Sequence, residues 1–182
     1  MSASPQDLMT AKLFFNAAFP TMQVLLDDDP KLHKKFQNFN ATVQFGAMND
    51  GELLCCHLIF QNGNLTVVQG PAEKSDISLT FSSVEKMNSL LKGGLSLPSI
   101  KGNLSLLPNV LSILMGLKIM TKPNDKLKND TEKLLKVKCS LYMITRALSQ
   151  YNKLGDPDMQ EFCRRQPDRI YQFQVEHDGQ PD

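Results

Sequence analysis

The sequence of 182 residues has no tryptophan and no excess of either charge, because 20 Lys and Arg oppose 19 Asp and Glu and leave a formal net charge of +1. A chain without a basic excess lacks the positive charge that binding to a phosphate backbone requires, so we expect no nucleic-acid partner. The apolar fraction of 41% and the charged fraction of 21% are ordinary for a globular protein. These values exclude a collagen-like or wholly disordered chain.

Motifs that carry chemistry are also missing from the sequence. It contains no glycine-rich phosphate loop, no G-x-S-x-G turn, no H-E-x-x-H helix and no paired carboxylates. The three histidines, His33, His57 and His177, are scattered, and none lies at metal-ligand spacing from a cysteine. We therefore expect that the protein is not an enzyme and that it has no catalytic residue, no cofactor and no metal.

Cys55 and His57 are the one candidate pair for catalysis, because they share a face of a predicted strand. No acidic residue that would orient the imidazole is visible near them, so a structural histidine is the preferred interpretation. A thioesterase-like activity on acyl groups is the enzymatic alternative. The four cysteines, which include no C-x-x-C pair, predict reduced thiols. The first residues lack the pattern of a secretory signal, and we expect a cytoplasmic location.

Hydrophobic periodicity predicts helices followed by a small sheet. The first helix is predicted to be kinked or divided by Pro20, which lacks a backbone N–H. Four strands joined by turns predict an antiparallel meander, and Ser82 with Glu85 predicts a capping box at the start of the next helix. The predicted helices cover residues 5–26, 31–39 and 82–93, the predicted strands cover residues 43–47, 53–60, 65–68 and 76–81, and an edge strand or loop ends at residues 100–103.

The segment from Leu106 to Met120 is predicted to be a helix that is apolar almost all round. The wider apolar stretch, Leu104 to Met120, is short for a membrane span. A small sheet covers only one side of such a helix, and apolar area in water costs roughly 25 cal/mol per Å². We therefore expect protein, a bound lipid, a membrane surface or a partner subunit to cover the rest.

Lysines dominate the stretch from Lys118 to Lys138. Two interpretations remain open, a solvated helix face and a surface for transient contact with anionic membranes. Within and beyond this stretch, apolar residues at steps of three and four predict one long amphipathic helix over residues 127–153. The residues of this seam are Leu127, Leu134, Val137, Leu141, Ile144, Leu148 and Tyr151.

The end of the sequence carries a weak internal repeat. Phe45 precedes an Asp-Gly turn at residues 50–51, and Phe173 precedes another at residues 178–179 with the same spacing. Tyr171, Phe173 and Val175 predict a strand face. Either this strand pairs with the first sheet or with another subunit, or the natural chain continues into a second copy of which only the start is present, which is the alternative we favour.

The order of motifs resembles a known family. Residues 75–81 (SDISLTF), a capped helix over 83–93 and residues 100–103 (IKGN) before an apolar helix resemble the sterol carrier protein domain, or nonspecific lipid-transfer family, over residues 8–120. The resemblance implies an α+β fold with a mainly antiparallel five-stranded sheet, helices on one face and an apolar tunnel between them. It also implies a lipid ligand and no catalytic residues. Pro98, the longer apolar helix and residues 121–182 depart from the family pattern.

The function expected from these observations is the binding of a sterol, fatty acid or acyl-CoA in the tunnel, as a carrier or lipid-presenting module. The alternative is a non-enzymatic assembly or regulatory module of the same fold that forms a homodimer through its apolar helices. Three regions are predicted: a lipid-binding domain (1–120), a long amphipathic helix and linker (121–160), and an added strand (161–182). The predicted ligand-binding residues are Val84, Met87, Leu91, Ile100, Leu107, Val110, Leu111, Leu114 and Met115.

Overall fold

The computed structural model describes residues 2–166, 172, 176–177 and 180–181. The helices are α1 (Pro5–Leu13), α2 (Phe19–Asp28), α3 (Pro30–Phe36), α4 (Val84–Leu91), α5 (Leu107–Gly116), α6 (Asp130–Lys153) and α7 (Pro157–Arg165). The strands are β1 (Ala41–Asn49), β2 (Glu52–Gln61), β3 (Asn64–Gln69), β4 (Ile77–Phe81), β5 (Ser99–Gly102), β6 (Glu176–His177) and β7 (Gln180–Pro181). Short 3₁₀ turns occupy Leu104–Leu106, Leu117–Thr121 and Asn124–Lys126.

The main sheet has five strands in the order β3-β2-β1-β4-β5, and every pairing except β1 with β4 is antiparallel. This confirms the predicted α+β fold with a mainly antiparallel sheet. The predicted four-stranded meander is wrong, because it ends at β3 and β4 pairs with β1 in parallel. The chain that connects β3 to β4 is held by polar side chains of the strands it passes: His57 Nδ1 lies 3.0 Å from the Gly70 carbonyl, and the Ala72 N–H donates to Gln44 Oε1 at 3.1 Å.

The core lies between the helices and one face of the sheet. Alternating residues of β1 are fully buried there, and Phe45 at their centre contacts Phe19 of α2 edge-on, with ring centroids 5.2 Å apart. Phe81 of β4 lies against the other side of Phe45, with centroids 5.5 Å apart. The period of two in β1 therefore sets which side chains meet the helices.

Pro20 does not divide the first helix. A π-helical turn, Phe14–Ala18, joins α1 to α2, and the Phe19 N–H donates to the Phe14 carbonyl five residues earlier. A π turn interrupts the regular hydrogen-bond ladder next to the residue that has no N–H to donate. The helix thus changes type locally just before Pro20, and α1, the π turn and α2 follow one another without a gap.

The capping box predicted at the start of α4 is wrong by one residue. Ser83, and not Ser82, is the N-cap, and its Oγ accepts from the Lys86 N–H at 3.4 Å. Ser82 Oγ accepts from Lys86 Nζ instead. Two adjacent serines made the sequence ambiguous at this position.

The two motifs of the family resemblance meet in space where β4 begins and β5 ends. The Asp76 carbonyl accepts from the Asn103 N–H at 2.8 Å, and its Oδ2 accepts from the Thr42 N–H at 2.7 Å. Gly102 has a φ of +99°, and a Cβ there would lie 2.3 Å from the Asp76 carbonyl oxygen. Asn103 then caps the turn that leads into α5 by accepting from the Ser105 N–H. The motifs therefore fix the entry of the apolar helix.

The long helix α6 confirms the helix predicted over residues 127–153, but the predicted seam is not its buried side. Leu135 and Cys139 are its buried residues and join the same core as α2 and the sheet. Lys138 Nζ, 3.1 Å from Asp28 Oδ1, links α6 to the end of α2. The predicted seam lies on the opposite side of the helix, because its residues are turned by about half a revolution from Leu135 and Cys139.

The predicted strand at Tyr171, Phe173 and Val175 lies outside the described residues. β6 pairs with β7 in an antiparallel two-stranded sheet that is separate from the five-stranded one. Helix α7 extends to Arg165, inside the range predicted as an added strand. Continuation into a second copy stays a prediction, as do the boundaries of the three regions.

Candidate functional site

The segment Leu104–Thr121 is strongly apolar, with a mean hydropathy of 1.6. By length and composition alone this helix of 18 residues is able to cross a membrane, but that test is also passed by core helices of soluble proteins. Here the segment lies against α2 and α3, and Val110 and Ile113 are its only buried residues. The chain itself therefore covers only part of this helix, and much of its apolar area faces outward.

The outward side of α5 forms one stripe, which we call the α5 stripe. Its residues follow one another at steps of four and three and are all exposed. Leu104 is 60% exposed, Leu111 47% and Met115 55%. Over about 14 residues such a stripe extends about 20 Å along the helix. Its members are Leu104, Pro108, Leu111, Met115 and Lys118.

The nine predicted ligand-binding residues lie on three elements: five are on α5, three on α4 and one on β5. Val84, Met87 and Val110 are buried in the core, and Leu91, Ile100, Leu107 and Leu114 are partly buried against it. Leu111 and Met115 lie on the outward α5 stripe instead. Seven of the predicted residues are thus part of the core or packed on it, and two are not. The helix α5 packs on α2 and α3, and α4 packs on α1 and the sheet.

Contacts at both ends hold α5 to the body of the protein. Lys35 Nζ of α3 donates to the Pro108 carbonyl at 3.1 Å and to Ser112 Oγ at 2.9 Å. At the other end Gly116 allows close approach, because a Cβ there would lie 2.9 Å from Leu25 Cδ1. Lys35 therefore lies beside the apolar helix α5, on the side where α3 packs against it.

A cleft of about 480 Å³ begins beside Met115 and runs between α2, the turn after α5 and α6. Its walls combine apolar side chains, among them Leu25, Ile119 and Leu135, with the ion pair of Lys122 and Glu132. The cleft is continuous with the α5 stripe through Met115. It has both an apolar wall and a charged rim, which suits an amphipathic molecule.

The sequence around the α5 stripe contains no acidic residue over a long distance. The 39 residues from Lys86 to Asn124 include five lysines and no Asp or Glu. The same segment exposes Leu95 and Leu97 almost completely, in the loop before β5. Sequence reasoning missed both features, although the lack of acids was visible in the sequence. Exposed apolar residues in a segment whose only charges are lysines are a pattern typical of contact with anionic lipid. Asp29 and Glu132, from outside the segment, line the cleft next to Met115 and Lys118.

The lysines of the stretch from Lys118 to Lys138 fall into two groups, those that form an ion pair and those that do not. Lys122, Lys133 and Lys138 pair with Glu132, Asp130 and Asp28 at 2.6, 2.7 and 3.1 Å. Lys118, Lys126 and Lys128 are exposed and form no salt bridge within residues 2–166. Lys136 also forms no salt bridge there, and the charge of Lys128 helps to lower the pKa of Glu132.

Glu132 ties the turn after α5 to the start of α6. A hydrogen bond from Lys122 Nζ at 2.6 Å, and a second from the Lys128 N–H at 3.0 Å, hold the pKa of this carboxyl below its ordinary value. A lowered folded-state pKa means that the ionised carboxylate stabilises the fold. This stabilisation is complete at pH values above the ordinary pKa of glutamate, and it is lost as the pH falls through the lowered pKa.

We expect the amides of residues 122–128 to exchange hydrogen faster, relative to the intrinsic rate, as the pH falls through the lowered pKa of Glu132. Protonation removes the charge that both hydrogen bonds favour. Mass spectrometry of peptides from this turn measures the effect. A Glu132→Gln variant should show fast exchange at every pH. Equal protection of wild type and variant at neutral pH would contradict this role of Glu132.

Cys55 and His57 both belong to β2, and the structure shows the surroundings of each. Burial raises the pKa of the Cys55 thiol, and His57 Nδ1 is engaged by the Gly70 carbonyl. Burial also raises the pKa of Cys56, and it raises that of Cys139 to about 12. A nucleophilic cysteine requires the opposite shift, toward the thiolate. The structural interpretation of His57 agrees with its hydrogen bond.

We expect one rapidly reacting thiol in the folded protein and four after denaturation. Cys163 on α7 is half-buried, whereas the other three cysteines are buried. A thiol–disulfide reagent at mildly alkaline pH with peptide mapping identifies the reacting site. Rapid reaction at Cys55 would contradict this assignment and reopen the cysteine–histidine alternative.

No protein-family model and no curated protein sequence matches the chain. Two solved structures are similar to it. A solution structure of the sterol carrier protein domain 2 of Helicoverpa armigera has 20% identity, covers 64% of this chain and 94% of its own, and gives a TM-score of 0.42. A conserved hypothetical protein from Thermus thermophilus, described as possibly a sterol carrier protein, has 13% identity, covers 65% and 83%, and gives 0.41. The family that the motifs resemble is thus also found in the structural comparison.

Proposed function

We propose that the protein binds a hydrophobic lipid of the sterol, fatty acid or acyl-CoA class and meets an anionic membrane surface with the α5 stripe. The observation that carries the proposal is the uncovered α5 segment, of whose 18 residues only Val110 and Ile113 are buried. In water the exposed halves of the Leu and Met side chains of the stripe contribute nothing to the stability of the fold. In the headgroup region they would bury their apolar area, at about 1.5–3 kcal/mol for a fully buried leucine.

The charge distribution supports a membrane of anionic lipids as the surface that is met. Lys118 ends the α5 stripe, Lys35 flanks it, and Lys101 lies in the strand before it. The predicted contact through Lys118 to Lys138 is retained for the exposed members that form no salt bridge within residues 2–166, Lys118 and Lys126 among them. Each lysine near an anionic surface is worth about 1 kcal/mol.

The inner side of α5 is the place proposed for the ligand. Its buried or half-buried apolar residues, Leu107, Val110 and Leu114, belong to the cluster that packs with α2 and α3, so separation of α5 from these helices would open an apolar site. Engagement of the outer stripe by a membrane would favour that separation, because it gives α5 a second apolar environment. The cleft beside Met115 would hold the polar end of an amphipathic ligand near Lys122.

The test of ligand binding is lipid extraction from the purified protein, followed by native mass spectrometry. We expect a lipid of the named classes at up to one per chain, and displacement of a fluorescent fatty acid by it. Protein that is free of lipid and does not take up fatty acid, sterol or acyl-CoA would contradict the proposal.

A Lys118→Glu variant should bind anionic vesicles less tightly, and Lys118→Gln should show an intermediate loss. Removal of one charge costs about 1 kcal/mol, which is about a fivefold lower affinity. Co-sedimentation with vesicles at low and high salt measures the change. Lys12→Glu in α1 is the control, since Lys12 is exposed and lies outside the acid-free segment. An equal loss in the control would show a general charge effect.

The same proposal gives the protein no catalytic role and a cytoplasmic location. Support for the first comes from the raised pKa of the Cys55 thiol and from the hydrogen bond of His57 to the Gly70 carbonyl. His57→Ala should therefore leave lipid uptake unchanged. Hydrolysis of acyl-CoA by the wild type that is lost in His57→Ala would overturn the non-enzymatic part of the proposal.

A further inference from the structure

The outward side of α6 carries an apolar stripe that the described part of the protein does not cover. We call it the α6 stripe, and it consists of the helical part of the predicted seam. Leu134 is 49% exposed, and Ile144 and Leu148 are each 44% exposed. The residues facing the body of the protein, Leu135 and Cys139, lie on the other side of the helix. The members of the α6 stripe are Leu134, Val137, Leu141, Ile144, Leu148 and Tyr151.

The spacing of the α6 stripe is that of a coiled coil. Its steps are three, four, three, four and three residues, which is the a/d repeat of a heptad. A helix that packs on a globular core uses a broader apolar face than this. A strict a/d stripe over about 18 residues fits best against another helix with the same repeat.

The repeat is symmetric about the point between Tyr142 and Met143, because the steps read the same in both directions. A second copy of α6, turned antiparallel, therefore presents an a residue to each d residue along the whole stripe. Such pairing places Leu134 opposite Tyr151 of the second copy, Val137 opposite its Leu148 and Leu141 opposite its Ile144. Because the two copies would be related by a twofold axis, each of these contacts would occur twice in the interface.

The middle of the stripe is almost free of charge. Residues 139–152 include a single charged side chain, that of Arg146, so two copies meet there without burying like charges. Both ends carry charges of either sign in equal number, over residues 125–133 and 153–165. The antiparallel direction therefore follows from the symmetric spacing.

The shape of the surface agrees with a helix as occupant. A cleft of about 580 Å³ lies along the first half of the stripe, lined by Leu127, Val137 and Leu141 with Lys133 and Lys136 at its rim. Lys136 Nζ holds the wall of this cleft in place by donating to the Lys122 carbonyl and to Asn124 Oδ1, both at 2.7 Å. The antiparallel register places Leu148 and Ile144 of the second copy over this cleft.

We infer that α6 is the interface of a homodimer in which two chains pair antiparallel through the α6 stripe. The inference goes beyond the proposed lipid function and rests on a different helix. An experiment that disproves the dimer therefore leaves the proposal of lipid binding intact, and the reverse also holds. The expected species in solution at micromolar concentrations has twice the 20.4 kDa mass of one chain. Ile144→Asp should shift it to the monomer, and Leu53→Asp on the outer sheet face should not.

Disulfide trapping tests the register without a disruptive variant. In a Cys163→Ser background, the double variant Leu134→Cys/Tyr151→Cys should form a covalent dimer on mild oxidation, read by mass under denaturing, non-reducing conditions. Either single variant should remain monomeric under these conditions, because antiparallel pairing keeps identical residues far apart. A monomeric wild type by analytical ultracentrifugation, a dimer that persists in Ile144→Asp, or trapping by a single cysteine would each overturn the inference.

Discussion

A Leu111→Asp variant is expected to lose binding to anionic vesicles and, because membrane contact is proposed to open the site behind α5, to lose uptake of lipid from those vesicles. Leu111 lies at the centre of the α5 stripe with about half of its side chain exposed. The change removes about half of the 1.5–3 kcal/mol that full burial of a leucine gives, and it adds a negative charge that a negative surface repels. Affinity should fall about 3- to 13-fold from the apolar contact alone, and further from the charge. Vesicle co-sedimentation and uptake of a fluorescent fatty acid from the vesicles measure the two effects.

Leu53→Asp is the matched control for this loss. Leu53 is 37% exposed on β2, its pairing partner is Met48, and it lies away from α5. Both variants should keep the circular dichroism spectrum of the wild type, since both positions face solvent. If Leu53→Asp lowered binding as much as Leu111→Asp, the α5 stripe would have no special part in it. If neither did, the membrane contact would lie elsewhere.

A Gly102→Ala variant is expected to be among the most destabilising single-methyl additions in the protein. The left-handed backbone at a φ of +99° costs an alanine about 1–2 kcal/mol. The Cβ would also lie 2.3 Å from the Asp76 carbonyl oxygen, so β4 and β5 would have to separate. We expect a total of about 3 kcal/mol or more in the free energy of unfolding, measured by urea denaturation.

Gly51→Ala separates the two causes. Gly51 has a φ of +88°, but nothing lies within 4 Å of its added Cβ. Its cost should therefore be the conformational part alone, about 1–2 kcal/mol. Equal destabilisation by both variants would mean that the close contact with the Asp76 carbonyl adds nothing to the cost. The close approach of β4 and β5 would then not be the reason for a glycine at position 102.

The sheet and the long helices were predictable because their periodicity is strong. Val43, Phe45 and Ala47 alternate clearly, and their burial follows that alternation. The partner of β4 was not predictable in the same way. The pairing of β4 with β1 depends on the path that residues 70–76 take across the sheet. The hydrogen bonds of His57 and Gln44 that hold this connection join residues far apart in sequence, so local patterns do not reveal them.

The apolar helices show where sequence reasoning reached its limit. Periodicity identified the apolar faces of α5 and α6, but it does not say which neighbour covers each face. On α6 the sharper repeat, which includes Leu134 and Ile144, faces outward, and the buried contact is made by Leu135 and Cys139. On α5 two of the predicted ligand residues face outward for the same reason. Tertiary packing, which depends on α2 and α3, decided both cases.

The missing tryptophan allows the most direct test of the proposed function. A Leu111→Trp variant carries the only tryptophan in the chain, on the α5 stripe, and Leu53→Trp carries it on the outer sheet face. With anionic vesicles that contain brominated phospholipid, the fluorescence of Leu111→Trp should shift to the blue and be quenched, and high salt should reverse both changes. Leu53→Trp should show neither. An unchanged spectrum of Leu111→Trp in the presence of bound vesicles would contradict contact between the α5 stripe and the membrane.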